Sequence, residues 1–135
     1  MRRSNLRKNP VYYLQYAHAR IASILRFAKD SGIKVEKIDS ANIELLREKE
    51  EVDLAKLLGE FPDVVEVAYL SLEPLKIINY LNEVAEAFHR FYHRHRVVNS
   101  SDMDLTFARL SLCLATKIVI ANGLKILGIS RPEKM

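Results

Sequence analysis

The stretch that opens at Glu73 and Pro74 and runs through Tyr92 constrains the fold most. Ile78, Leu81, Ala85, Phe88 and Tyr92 recur there at steps of three and four residues, the period that lines one side of an α-helix with apolar groups. Such a helix is stable only against a partner, and the partner follows directly. Between about Asp102 and Leu127, Leu105, Ala108, Leu112, Ala115 and Val119 form one stripe, while Phe107, Leu110, Leu114, Ile118 and Ala121 form a second. A helix apolar on two sides belongs at the centre of a bundle. Gly128 ends it, and Pro132 prevents a restart.

The rest of the chain reads as helical too. Asn9 can cap a first helix with Pro10 in its first turn, Leu14, Ile21, Leu25 and Ala28 form its apolar stripe, and Gly32 stops it. Asp39 or Ser40 can cap a second helix carrying Ile43 and Leu46, Val52 to Leu58 make a short third element, and Pro62 with Asp63 open another. Glu73 and Pro74 then begin the long helix. Four Gly and four Pro leave little turn material for a sheet, and no Gly/Ser linker divides the 135 residues. The expected fold is all-α: one domain over residues 1–135, a helical bundle with two long core helices near the C-terminus and shorter helices in the middle.

Charge breaks the longest apolar runs short of the roughly 20 residues that cross a bilayer. The basic start, Arg2, Arg3, Arg7 and Lys8, leads into a polar, tyrosine-rich segment rather than an apolar signal region. These features predict a cytoplasmic protein with no membrane segment; a monomer is expected. A single cysteine, Cys113, excludes an internal disulfide and sits in an apolar run as a small core residue. The net charge of +4 is unevenly spread. Residues 1–30 carry seven Lys/Arg against one Asp, 31–75 carry five against eleven acids, and 76–135 carry nine against five. Basic ends around an acidic middle suit a molecule with one face for a polyanion and another that repels it, although solvated helix exteriors give the same pattern.

Little in the chain suggests catalysis. His89 and His93 lie one turn apart with His95 close behind, but Arg90 and Arg94 between them disfavour a metal cation, and solvated or RNA-facing histidines are the expected reading. His18, on the apolar side of the first helix, reads as a hydrogen-bonded, partly buried histidine. No nucleophile with its base, phosphate-cradling glycine loop or isolated carboxylate pair is evident. What stands out is aromatic and basic residues interleaved: Tyr12, Tyr13, Tyr16 and Arg20 early, then Phe88, Arg90, Phe91, Tyr92, Arg94 and Arg96. Unpaired RNA bases stack on such rings and on guanidinium planes while Lys and Arg neutralise phosphates, each good stack contributing about 1–3 kcal/mol. Phe88 lies on the core stripe and is expected to pack. Tyr92 reaches that stripe's rim. Tyr13, Ala17 and Arg20 form a separate stripe, a ring, a gap and a charge that would suit a splayed base on an exposed face.

Three ordered blocks carry a resemblance. Asn9-Pro10-Val11-Tyr12-Tyr13-Leu14-Gln15-Tyr16-Ala17-His18-Ala19-Arg20-Ile21 is similar to the opening of the C-terminal domain of arginyl-tRNA synthetases. Ala87-Phe88-His89-Arg90-Phe91-Tyr92, followed by Arg96-Val97, resembles that family's segment before its last helix. Ala108-Arg109-Leu110-Ser111-Leu112 and Asn122-Gly123-Leu124-Lys125-Ile126-Leu127-Gly128-Ile129 lead into Pro132-Glu133-Lys134-Met135, also similar to the family's ending. The resemblance implies an all-α anticodon-binding domain of the DALR type that holds the anticodon stem and loop of tRNA-Arg. It implies a pocket for splayed anticodon bases at Tyr13, Ala17, Tyr92 and Met135. Arg20, Arg94 and Arg96 are assigned to phosphates, Arg96 alternatively to guanidinium stacking, and Gln15 is a polar candidate; Arg109 is as readily structural.

The nucleotide signature and Lys-rich loop of class I catalytic domains are absent from this sequence, so no enzymatic activity and no cofactor are expected of the chain itself. The resemblance places ATP and magnesium in a separate catalytic domain of a parent arginine–tRNA ligase, which is the other expected partner. Glycyl and cysteinyl synthetases carry similar bundles, but the tyrosine-rich opening and the Met-ending block favour arginine. The alternative from another class is a free-standing helical bundle used as a protein-interaction or scaffold module without RNA binding.

Overall fold

A computed structural model describes residues 9–135; the basic residues Arg2, Arg3, Arg7 and Lys8 lie outside the described residues. Five α-helices follow one another: α1 (Pro10–Asp30), α2 (Lys49–Gly59), α3 (Phe61–Ser71), α4 (Leu75–Arg94) and α5 (Met103–Ile126), with 3-10 turns at Val35–Ser40 and Ile43–Leu45 between α1 and α2. No strand occurs among the described residues, and the expected all-α bundle is what the chain forms. α1, α4 and α5 pack on one another, α2 closes over α4 and α5, and α3 rests on α4 and α2.

The helix ends are set by local chemistry. The Asn9 side chain accepts the Tyr12 amide at 3.1 Å and Pro10 occupies the first turn of α1, so one otherwise unpaired donor is satisfied. At the other end Gly32 has φ +90°, with its own N–H bonded to Lys29 O and that of Ile33 to Ala28 O. Gly128, at φ +74°, repeats the arrangement after α5 through Lys125 O and Leu124 O. Both turns need a left-handed residue, which glycine adopts without a Cβ penalty. Asp102 caps α5 by accepting the Leu105 amide.

The second helix expected from Asp39 or Ser40 does not form. Lys37 and Ala41 amides make only three-residue-spaced bonds there, and Asn42 caps a single 3-10 turn that leaves Ile43 exposed. Within residues 41–48 Ile43 is exposed and Leu45 and Leu46 are only partly buried, so no continuous helical face is seated, and packing rather than capping sustains short helices. The expected third element is contained in α2, which opens with a reciprocal capping box between Glu48 and Glu51.

Two sequence expectations about the long helices are also adjusted. On α4 the buried face is broader than the stripe, taking in Ile77, Tyr80, Val84, Ala87 and Phe91 beside Leu81, Ala85 and Phe88. On α5 the deepest line runs between the two apolar stripes, through Thr106, Cys113, Thr116, Ile120 and Gly123, while Ile118 of the second stripe is exposed. Thr106 and Thr116 sit there because each hydroxyl donates to a carbonyl of its own helix end or turn, Thr116 to Leu112 O at 2.8 Å. The Cys113 thiol is fully buried, which pushes its pKa up to about 12. By length and composition α5 is sufficient to cross a bilayer, correcting the expectation that charge interrupts every such run; in this fold its sides are taken by α1, α2 and α4.

Of the four glycines, Gly123 is the one whose missing Cβ lets another helix in. A Cβ placed on it would lie 2.6 Å from Leu81 Cδ1, and Leu81 is itself fully buried. Gly59, the last residue of α2, has nothing within 4 Å of the same position. Alanine at a helical glycine stabilises by about 0.5–1 kcal/mol through chain entropy, whereas overpacking costs about 1–3 kcal/mol. Thermal unfolding should therefore show Gly59→Ala raising Tm and Gly123→Ala lowering it; an equal rise for both would contradict the tight α4–α5 contact.

Candidate nucleic-acid interface

The first half of α1 and the last two turns of α4 bring most of the proposed ring residues together. Phe88 and Phe91 are fully buried and act as the base of a cluster, as expected for Phe88. Tyr92 stacks on Phe88 with centroids 5.9 Å apart and planes 17° from parallel. The Arg20 guanidinium lies 5.2 Å from the Tyr92 ring centre, within cation–π range. Tyr13 meets His89 at 5.8 Å, and His89 meets the edge of Phe88 at 5.9 Å. Tyr13 and Tyr92 are thus half-buried rings fixed from beneath, which reduces the ordering cost of stacking a ligand on them.

Beyond Tyr92 the surface opens into a groove of about 660 Å³ between the second half of α1 and the segment after α4. Arg20, Ser23 and Phe27 form its α1 side, and Tyr92, Arg96 and Val98 the other. Arg96 donates from Nε to Val98 O at 3.0 Å. The segment is not loose: Thr106 Oγ1 accepts from Asn99 N at 3.0 Å, and Ser101 N donates to Asn99 Oδ1.

Other proposed residues fall elsewhere. Ala17 is fully buried in the core, so the expected open gap between Tyr13 and Arg20 does not exist; a small side chain on that line is covered by the neighbouring helices. Arg94 lines a second depression with Lys49, Glu50, Asp53 and Arg90, away from Arg20. Gln15 is engaged by the C-terminal tail, donating from Nε2 to the Ser130 carbonyl at 3.1 Å and hydroxyl at 2.9 Å. Met135 is exposed and is not part of the groove lining.

The tail itself is fastened along α1. His18 Nδ1 is 2.8 Å from Pro132 O, Arg26 Nη1 donates to Glu133 O, and Lys117 Nζ bonds the Glu133 carboxylate. His18 is buried and hydrogen-bonded, as expected. The Lys117 ammonium holds the Glu133 carboxyl below the usual carboxylate range. His95 is partly buried and lines the groove but is not a free solvated side chain: Nε2 lies 2.7 Å from Glu50 Oε1 and its ring stacks on Phe91. That hydrogen bond holds the Glu50 carboxyl below its ordinary value. No group of three or more His, Cys, Asp or Glu able to hold a metal occurs among the described residues.

Two features escaped the sequence. Phe27 continues the Tyr13–Arg20 face by the same three- and four-residue steps, a signal present in the sequence but masked by its distance from the tyrosine block. The buried ion pair of Glu51 with Arg109 left no such signal. Arg109 Nε donates to Glu51 Oε2 at 2.9 Å while Nη1 donates to Arg96 O at 2.9 Å, so Arg109 is structural and fixes the groove's far wall. Removing one member of a buried pair strands the other, which costs about 3–5 kcal/mol. Arg109→Ala should lower unfolding stability by that order in urea titration; a loss under about 1 kcal/mol would mean that Glu51 relaxes to water instead.

Comparison with known proteins fits this geometry. The family model for the DALR anticodon binding domain matches residues 14–135. An arginine–tRNA ligase of Listeria welshimeri is 50% identical over 133 residues, covering 98% of this chain and 24% of the relative. That of Geobacter metallireducens is 50% identical over 128 residues, covering 95% of this chain and 23% of the relative. The arginyl-tRNA synthetase structure from Thermus thermophilus superposes with a TM-score of 0.75 at 30% identity, covering 91% of this chain and 21% of that one. The chain therefore spans about a quarter of the length of the relatives it matches, and it belongs to the DALR anticodon binding domain family.

Proposed function

We infer that this chain binds the anticodon stem and loop of arginine tRNA, and that it serves as the tRNA-reading part of a longer arginine–tRNA ligase. The observation that carries the reading is the Tyr13, His89, Tyr92 and Arg20 cluster, rings and a guanidinium held in fixed contact at one surface. A surface of this kind offers π-faces to unstacked bases and positive charge to the backbone between them. The acidic 31–75 region carries α2 and α3 and would repel a polyanion, so the distribution of charge orients the RNA toward α1 and α4.

The base to be read follows from the code. Every arginine codon has G in its middle position, so C at the middle of the anticodon is the base common to all arginine tRNAs. Tyr13 and Tyr92 are the residues proposed to receive it, Arg20 and Arg96 the phosphate ligands. Burial of Ala17 assigns it to spacing α1 against the core beside Tyr13, and Gln15 to seating the tail that leads to Met135. Arg94, at the second depression, is proposed only for a peripheral phosphate contact. Arginine activation with ATP and magnesium belongs, on this reading, to the catalytic domain of the longer ligase.

Binding to an arginine anticodon stem-loop and to one with the middle C replaced tests the reading. The expected result is a preference for C that weakens with salt. Tyr92→Ala should lose about 1–3 kcal/mol, and Tyr92→Phe, which keeps the ring, should lose much less. Equal affinity for both loops, indifferent to salt and to both substitutions, would refute it and favour a protein-interaction module.

A further inference from the structure

We propose that the groove beside Tyr92 is a second nucleotide subsite, in which Phe27 stacks an unpaired base adjacent to the one held at Tyr13 and Tyr92. This rests on the anticodon-loop reading above, shares Arg20 and Arg96 with it, and extends it to Phe27, which has no role there.

The groove has the chemistry of a nucleotide. Its floor is apolar: Ile24 and Val97 are buried and line it. At one end stands Phe27, 64% exposed on the outer face of α1. An isolated exposed ring means little; a ring beside an apolar floor and two guanidinium groups means more. Arg20 and Arg96 line the same space, and no acidic side chain does. The ligand is therefore flat, apolar on its faces and anionic at one side. At about 660 Å³ the groove falls within the roughly 300–1,000 Å³ of small-molecule sites, ample for one nucleotide.

The helix orients the ligand. α1 ends at Asp30, one turn beyond Phe27, with its last carbonyl oxygens pointing past Ser31, and Phe27 O already accepts Ser31 N and Oγ. The negative end of the helix dipole disfavours a phosphate at that point. The phosphate accordingly lies toward Arg20 and Arg96, and the base toward Phe27. Ser23, Ser31 and His95 also line the groove; the Ser31 hydroxyl is committed to Phe27 O and His95 Nε2 to Glu50, which leaves the Ser23 hydroxyl, too little to read a base edge. The subsite therefore tolerates any base and contributes affinity and register, while discrimination stays at Tyr13 and Tyr92.

The test is a thermodynamic cycle on this chain and an arginine anticodon stem-loop. Phe27→Ala should weaken binding about tenfold, Phe27→Leu nearly as much because it keeps bulk but loses the ring, and Phe27→Trp should bind at least as well as the parent. Phe27 is exposed, so its replacement leaves the core packing in place, and circular dichroism checks that the fold is kept. Abasic substitutions, scanned through the loop, should include one flanking position that costs about tenfold in the parent and almost nothing in Phe27→Ala. Parent-like binding by Phe27→Ala, with Tyr92→Ala still defective, would overturn the subsite and leave the anticodon reading standing. Parent-like binding by both would overturn both. Loss in Phe27→Ala without coupling to any loop position, or rescue by Phe27→Leu, would assign Phe27 to packing and overturn the subsite as well.

Discussion

The buried pair of Glu51 and Arg109 is the contact on which the rest of the arrangement depends. One carboxylate oxygen of Glu51 accepts the Glu48 amide and closes the start of α2, and the other takes Arg109 Nε. Arg109 in turn spends its Nη1 on the Arg96 carbonyl. One carboxylate and one guanidinium thereby join α2, α5 and the segment after α4. Well-packed apolar residues could match the stability of such a pair, but they could not hold a backbone carbonyl in place. The pair fixes the orientation of the 95–98 segment, and with it the wall that faces Phe27 and Arg20.

A second set of polar contacts shapes the other end of α1. Gln15, His18 and Arg26 face the tail while Arg20, Ser23 and Phe27 face the groove, so α1 divides its polar residues between two tasks on two sides. This division explains why neighbours in sequence differ so much in role. Tyr13 and Gln15 are two residues apart, yet one meets His89 and the other Ser130. On the groove side Tyr92 is backed by Phe88 and His95 by Phe91, and that backing holds the two rings as a rigid surface.

The long helices were legible because their apolar spacing and caps agree: Asn9, Asp102, Gly32 and Gly128 mark ends that packing also favours. The middle was not. Asp39 and Ser40 are good caps, but behind them Ile43 is exposed and Leu46 only partly packed, so the chain takes 3-10 turns. The deepest line of α5 was hidden because Thr106, Thr116 and Gly123 do not look apolar, although hydroxyls bonded within the helix and a missing Cβ make them suitable for close packing. Ala17 was misplaced for a related reason: alanine carries no hint of which side of a boundary it occupies. Glu51 looked like the glutamates around it, and only the distant Arg109 distinguishes it. Tyr13, Tyr92, Arg20 and Arg96 were legible as a group, whereas Arg94 differs from Arg96 only by lying inside α4, where the helix turns it to the other side.

The most direct measurement is an amide chemical-shift map of the isotope-labelled chain titrated with an arginine anticodon stem-loop. The expected result is a continuous set of perturbations over Tyr13, Arg20, Phe27, Tyr92 and residues 95–98, with α3 silent. Perturbations centred on Phe61–Ser71 and the exposed leucines that follow it, or none at concentrations that saturate binding, would contradict the assignment of the α1–α4 face to RNA.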